Sequence, residues 1–257
     1  MSVLISSAER QNNIVSLVSR QGRLSVAEIV EQFEVSEATA RRDLEALAEQ
    51  GLLQRVHGGA ISLKQAPPEL PILQREQEQS FAKQRIALAA AALIRDGETV
   101  FLGSGTTVLE VARNLKSRRS LTVITNSLPV MNALAGLPEI TIVALGGVLR
   151  ASELSFIGHI TEQALAEVRA DKVIISVHAI SLENGLTNDY LPETMTDRAI
   201  LRAGREVVVV ADHTKVNAFA TAFLAPITSI QAFVTDNETS ADFLAALRQN
   251  GVRVHQA

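Results

Sequence analysis

Apolar positions recur at helical spacing through the first sixty residues and in nearly continuous short runs after about residue 99, so the chain changes architecture once along its length. Ile14, Leu17 and Val18 share a face of a helix expected over about 8–20. Val26, Ile29, Val30 and Phe33 form the stripe of a second helix, which Ser25 and Glu28 open as a capping box. After a tight turn, Ser36 is positioned to cap a third helix that reaches about Gln50 and is closed by Gly51. In it Ala40, Leu44 and Leu47 face inward. At about 100° per residue, Ala38, Arg42 and Glu45 then fall on the opposite side, flanked by Glu37 and Arg41. The stretch LLQRVHGGA, residues 52–60, fits two short strands turning at Gly58 and Gly59.

Three of the seven prolines fall in KQAPPELP, residues 64–71. Proline fixes its own backbone and pushes the preceding residue out of helix, which predicts a stiff linker over 64–79. The expected division is 1–63, a small helical domain with a hairpin; 64–79, the linker; and 80–257, a larger domain. In the last segment TVFLG, LTVIT, ITIVAL, KVIISV, EVVVVA and AFVTD read as buried strands, alternating with helical stretches such as SFAKQRIALAAAALI, TVLEVARNL, ITEQALAEV, TMTDRAILRA and SADFLAALRQN. Apolar strands alternating with helices predict an α/β domain whose parallel sheet is covered on both faces.

With 47% hydrophobic and 20% charged residues over 257 positions, the chain has the composition of a globular protein of about two domains. The start MSVLISSAERQNN has neither a basic nor an apolar segment of secretory type, and no run approaches the ~18 apolar residues of a membrane helix. The expected location is the cytoplasm, away from membrane. Zero cysteines exclude disulfides and thiolate ligands, and the five histidines (57, 159, 178, 213, 255) lack metal spacing, so neither metal nor cofactor is expected. The net charge of −4, with seven basic and eight acidic residues in 1–64, makes any nucleic-acid contact a matter of local arrangement.

Such an arrangement exists at the start of the third helix. When a helix of this kind enters a major groove, its first residues reach base edges while nearby hydroxyls and arginines hold phosphates. Ser36, Thr39, Arg41 and Arg42 are the candidates, with Arg55 and His57 of the hairpin reaching backbone or minor groove. On spacing alone, Arg41 could equally pair with Glu37 or Glu45. In the larger domain, TVFLGSGTTVLEVARNL is a strand, a glycine-bearing loop and a helix, able to aim backbone N–H groups at an anion. Gly103 and Gly105 permit close approach, and Ser104, Thr106 and Thr107 add hydroxyl donors. No Gly-Lys-Ser/Thr follows, and Val108 stands where the dinucleotide motif needs its third glycine. The turns ITNS, LGG and ADHTK sit at further strand ends, where ligands of open parallel sheets gather.

VSEATARRDLEALAEQGLLQRVHGGA resembles the DNA-binding signature of the DeoR family of bacterial transcription regulators, through Val35, Ser36, Thr39, Arg41, Arg42, Asp43, Leu44, Leu47, Gly51, Arg55, His57, Gly58, Gly59 and Ala60. The resemblance continues through Gly105-Thr106-Thr107, Ile124 to Ser127, Gly146-Gly147 with Arg150, Gly185-Leu186-Thr187, and Asp212 with Lys215. It implies a winged helix-turn-helix followed by a sensor domain similar in fold to sugar-phosphate isomerases and CoA transferases. Its partners would be double-stranded operator DNA and a small phosphorylated sugar, in a homo-oligomer, dimer or tetramer. Gly105, Thr106, Thr107, Asn126, Ser127, Gly147 and Lys215 would line the effector pocket, with Lys215 supplying a cation for phosphate. The chain departs from the family at Ala40, at Gly103 where an acidic residue is common, and at His178 where a small one is usual. A histidine there reaching into the pocket would alter which sugar fits. Asp189, Glu193 and Asp197 read either as hydroxyl binders or as a solvated face. The isomerase-like domain leaves an alternative, a sugar-phosphate isomerase-like enzyme using one of those carboxylates as base.

Overall fold

The computed structural model describes residues 6–21, 23–49, 52–56, 58–61, 64–65 and 70–257. The chain divides into two compact units, Met1–Gln65 and Ala66–Ala257.

The first unit runs α1 (Ser7–Gln21), β1 (Arg23–Ser25), α2 (Val26–Phe33), α3 (Glu37–Glu49), β2 (Gln54–Val56), β3 (Gly59–Ile61) and the two-residue β4 (Lys64–Gln65). Ile14, Val18, Leu24, Ile29, Ala40, Leu44 and Leu47 close its core, following the apolar stripes of the three helices. The capping box forms: Ser25 Oγ accepts from Glu28 N at 3.2 Å, and Ser25 N donates to Glu28 Oε2 at 2.6 Å. These bonds hold the Glu28 carboxyl below its ordinary pKa. Glu34, left-handed at φ 51°, ends α2. The hairpin is in fact three-stranded, because β3 pairs antiparallel with both β2 and β1, and Ala60 stands opposite Leu24 and Arg55. Three residues between two helices carry too little pattern to announce β1. The expected helix end at Gln50 and Gly51, and His57 of the wing, lie outside the described residues.

The second unit contains α4 (Ile72–Arg75), α5 (Ser80–Ala92), β5 (Thr99–Leu102), α6 (Thr106–Arg113), β6 (Leu121–Thr125), α7 (Leu128–Leu134), β7 (Ile140–Ala144), β8 (Val148–Arg150), β9 (Ser155–Ile157), α8 (His159–Ala166) and β10 (Ala170–Ile175). It continues with β11 (Ala179–Ser181), β12 (Gly185–Asn188), α9 (Leu191–Ala203), β13 (Gly204–Val210), β14 (Ala218–Phe219), β15 (Ala222–Ala225), β16 (Ala232–Thr235), α10 (Ala241–Gln249) and β17 (Arg253–Gln256). Seven strands form a parallel sheet in the order β17-β16-β13-β10-β5-β6-β7. One face packs Val100, Leu102, Val123, Ile174, Val208 and Val234 against α5, α6 and α7. The other packs Phe101, Ile124, Val173, Val209 and Phe233 against α8, α9 and α10, with Phe233 edge-on to Phe243 at 6.1 Å. This is the expected α/β domain with its sheet covered on both sides.

Beyond the sheet stand two additions: the hairpin β8–β9, and the three-stranded sheet β11-β12-β15, in which the pairing of β12 with β15 is long-range. The edge strand β17, Arg-Val-His-Gln, is mostly polar and gave no apolar run. Residues 70–79, assigned to the linker from proline content, pack within this second unit. There Ile72 and Arg75 of α4 are buried, and Ile72 N donates to Ser152 O at 2.8 Å. No helix among the described residues is long and apolar enough to cross a membrane.

Candidate functional site

In the first unit, the core positions of α3 leave Ser36, Arg41 and Arg42 exposed and Thr39 half-buried. Ser36 Oγ accepts from Thr39 N at 3.2 Å and lies 2.9 Å from Thr39 Oγ1, so the two hydroxyls cap the helix start. Arg41 pairs with Glu37 at 2.9 Å across one turn, and Arg55 of β2 with Glu45 at 2.8 Å. Both pairs are largely exposed, and such pairs contribute only about 0–1 kcal/mol. They therefore hold the guanidinium groups without preventing a phosphate from taking them. Asp43 has a different role. It is buried, accepting from Arg10 Nε at 2.6 Å and Gln11 Nε2 at 2.9 Å, and so fastens α3 to α1.

In the second unit, a cleft opens at the carboxyl ends of the central parallel strands. It is lined by Arg75 of α4, Glu78 and Gln79, Lys83 of α5, Thr106 and Thr107 opening α6, Ser176 and Val177 after β10, and Asp212, Thr214 and Lys215 after β13. The Gly103–Gly105 loop shapes its wall: Gly103 N donates to Ile174 O at 3.0 Å, and Ser176 Oγ to Ser104 O at 3.1 Å. Gly105, at φ +103°, lies so close to Ser176 that a Cβ there would overlap its Oγ. Across the cleft, buried Asp212 accepts from Thr214 N at 3.0 Å and fixes the turn bearing Lys215. Lys83 is buried, with Nζ donating to Arg75 O at 2.7 Å. Burial draws its ammonium below the ordinary pKa of 10.5; Asp212 and Glu78 oppose the shift, while Arg75 and Lys215 reinforce it. Arg75 also donates to Leu70 O at 2.7 Å and pairs with buried Glu153. The cleft thus gathers three cations and several hydroxyls around the N-terminus of an eight-residue helix, a constellation suited to a multivalent anion.

Of the residues expected in the pocket, Thr106, Thr107 and Lys215 line the cleft, and Gly103, Ser104 and Gly105 build its loop. Asn126, Ser127, Gly147 and His178 do not line it. The hairpin β8–β9 covers Asn126 and Ser127: Asn126 exchanges bonds with Phe156 at 2.8 and 2.9 Å, and Ser127 bridges to Ser155. Gly147 packs under α8, where a Cβ would meet Thr161 Oγ1 and lie 2.9 Å from Ile157 O. His178 is buried, and its N–H donates to Asn188 Oδ1 at 3.2 Å. The solvated reading of the acidic cluster fails for Glu193, which is buried against Arg150 and accepts from Ser155 Oγ at 2.8 Å. Asp197, bonded to Asn188 Nδ2 at 2.8 Å, has its pKa pushed well above 3.8 by burial and by the charge of Glu193. Arg75 and Lys83 were missed by the sequence reading. Among the described residues no group of three or more His, Asp or Glu is placed to hold a metal.

Residues 10–66 match the DeoR-like helix-turn-helix domain, and residues 78–237 match the DeoR C terminal sensor domain. The chain belongs to the DeoR family. It is a DNA-binding transcriptional regulator, and the isomerase-like enzyme alternative is set aside because the family is one of regulators rather than enzymes. Among its relatives, the transcriptional repressor AccR of Agrobacterium fabrum is 37% identical over 92% of each chain. The glycerol-3-phosphate regulon repressor of Escherichia coli is 35% identical, over 96% of this chain and 97% of its own. The lactose phosphotransferase system repressor of Lactococcus lactis is 31% identical, over 93% and 95%. Among solved structures, ribose 5-phosphate isomerase A of Methanocaldococcus jannaschii aligns with TM-score 0.41 at 19% identity, covering 54% of this chain and 55% of its own. This DeoR-family chain thus pairs a helix-turn-helix unit bearing an exposed arginine pair with a sensor unit bearing a cationic cleft.

Proposed function

We propose that the protein represses a carbohydrate catabolic operon and that a phosphorylated sugar, bound in the cleft, changes its affinity for the operator. The observation that carries this reading is the convergence of Arg75, Lys83 and Lys215 on the N-terminus of α6, where Thr106 and Thr107 sit. A phosphate there would accept charge-assisted bonds from the lysines and backbone bonds from the helix start, and its charge would favour the Lys83 ammonium that burial disfavours. Relatives named for a glycerol-3-phosphate regulon and a lactose phosphotransferase system support the ligand class.

On the DNA side, Arg41 and Arg42 enter the major groove while Ser36, Thr39 and Arg55 hold the backbone; His57 is assigned to the wing by family resemblance. A cytoplasmic homo-oligomer, dimer or tetramer, gives two recognition helices the spacing of two half-sites. The effector acts by favouring one arrangement of subunits, which requires unequal affinity for the two. A thermal-shift screen with phosphorylated sugars, followed by fluorescence anisotropy on DNA from upstream of the gene and its neighbours, tests the reading. The expected result is one ligand that raises the melting temperature and alters the DNA titration. Stabilisation by none of them, or by one that leaves DNA binding unchanged, contradicts it.

A further inference from the structure

The sensor unit carries a large unpartnered apolar face, and its pieces join through named contacts. Leu191 and Met195 lie one turn apart on α9, exposed to 58% and 48%. Arg198, on the same face, reaches Met195 Sδ at 3.5 Å and the carbonyl of Phe223, tying α9 to the outward side of β15, where Phe223 is 50% exposed. The other edge of α9 meets α8 through Thr196, which accepts from Gly158 N at 3.0 Å and donates to Glu162 at 3.1 Å; Ile160, between those two partners, is 62% exposed. At the start of α9, Arg150 lies 4.5 Å over the Tyr190 ring and brings in β8, whose Val148, on the same side of the strand as Arg150, is 66% exposed.

We infer that this face, formed by β8, the start of α8, α9 and β15, is the two-fold interface with a second copy of the chain. At roughly 150–250 Å² for a large side chain, these exposures leave on the order of 700 Å², close to the ~800 Å² that each partner contributes to a standard stable interface. Within one copy Arg150 is already matched with Asp189 and Glu193, and the Arg198 guanidinium is bonded to the Phe223 carbonyl, so the charged groups at the patch have partners before a second copy arrives. A second exposed group, Phe81 and Leu88 on α5, is smaller. The inference rests on the proposed function for its choice of occupant, since paired recognition helices need a dimer, but its test is separate.

Sedimentation velocity of the full chain from about 0.1 to 50 µM reads the association state. The wild-type chain is expected to dimerise or form a larger even-numbered assembly. Leu191→Glu with Met195→Glu, and separately Phe223→Glu, are expected to weaken the dimer about 100-fold, with unchanged circular dichroism and unchanged thermal shift by the effector. Phe81→Glu is expected to leave association unchanged. A monomeric wild type overturns the inference, as does a dimer that survives both face variants, the latter moving the interface elsewhere. A dimer lost by these substitutions in a protein that binds no DNA would leave the inference standing and sink the proposed function instead.

Discussion

Gly105→Ala tests whether the loop at the cleft is built as described. Two costs add. The backbone sits at φ +103°, where an L side chain costs about 1–2 kcal/mol. The new methyl would overlap Ser176 Oγ and lie 3.5 Å from Ser176 Cβ, so the serine must rotate and lose its 3.1 Å bond to Ser104 O, about 1 kcal/mol more. The sum, about 2–3 kcal/mol, corresponds to a melting temperature lower by roughly 4–12 °C for a unit of this size. Differential scanning fluorimetry reads it. In the double variant Gly105→Ala, Ser176→Gly the overlap is gone and the bond to Ser104 is lost only once, so its destabilisation should fall about 1 kcal/mol short of the sum of the two single variants. Gly146→Ala, which meets nothing within 4 Å and has no positive φ, serves as the neutral comparison. A Gly105→Ala protein as stable as wild type, or a double variant with no coupling, refutes the reasoning.

Lys83→Met keeps the length of the side chain while removing its charge. Isothermal titration with the effector from the thermal-shift screen should show affinity falling about 30-fold, as for loss of one charge-assisted bond, with stability changed by less than about 1 kcal/mol. Asp43→Ala leaves Arg10 without its buried partner; hydrogen exchange of α1 and α3 amides should lose about 3 kcal/mol of protection while the sensor unit is unaffected. Asp197 has a folded pKa raised above 3.8, so its ionisation costs stability once the pH rises above about 4, and the cost grows until the folded pKa is passed. Asp197→Asn keeps an acceptor for Asn188 and should raise the melting temperature at pH 7 by a few degrees, the gain vanishing as the pH falls towards 4.

The helical periods of the first unit and the buried strand runs of the second were legible because each element carries its own apolar signature. So was the cleft loop, through Gly105, Thr106 and Thr107. Lys83 could also have been found: it stands at i, with Ile86, Ala87 and Ala90 at i+3, i+4 and i+7, a charge placed on a buried stripe. Arg75 could not. It follows a proline-rich stretch without periodicity, and its burial depends on Glu153, seventy-eight residues away. The same cause separates Asn126 and Ser127 from the cleft. They occupy a strand end as expected, but the β8–β9 hairpin folds over them, and its pairing with residue 127 is a tertiary fact with no local pattern. Glu193 and Asp197, one turn apart, carry the pattern of a solvated face; only the arrival of Arg150 and Ser155 buries the first.

In the proposed regulation, the exposed arginine pair of α3 reads DNA under control of an anion held in the sensor cleft. Fluorescence anisotropy with labelled operator DNA, on wild type and on Arg41→Ala with Arg42→Ala, with and without the sugar phosphate found by thermal shift, tests both halves in one titration. The double variant is expected to lose at least about 100-fold in operator affinity while keeping its effector-induced thermal shift, and the wild type to change affinity when effector is added. Operator binding that survives loss of both guanidinium groups, or that no effector alters, contradicts it.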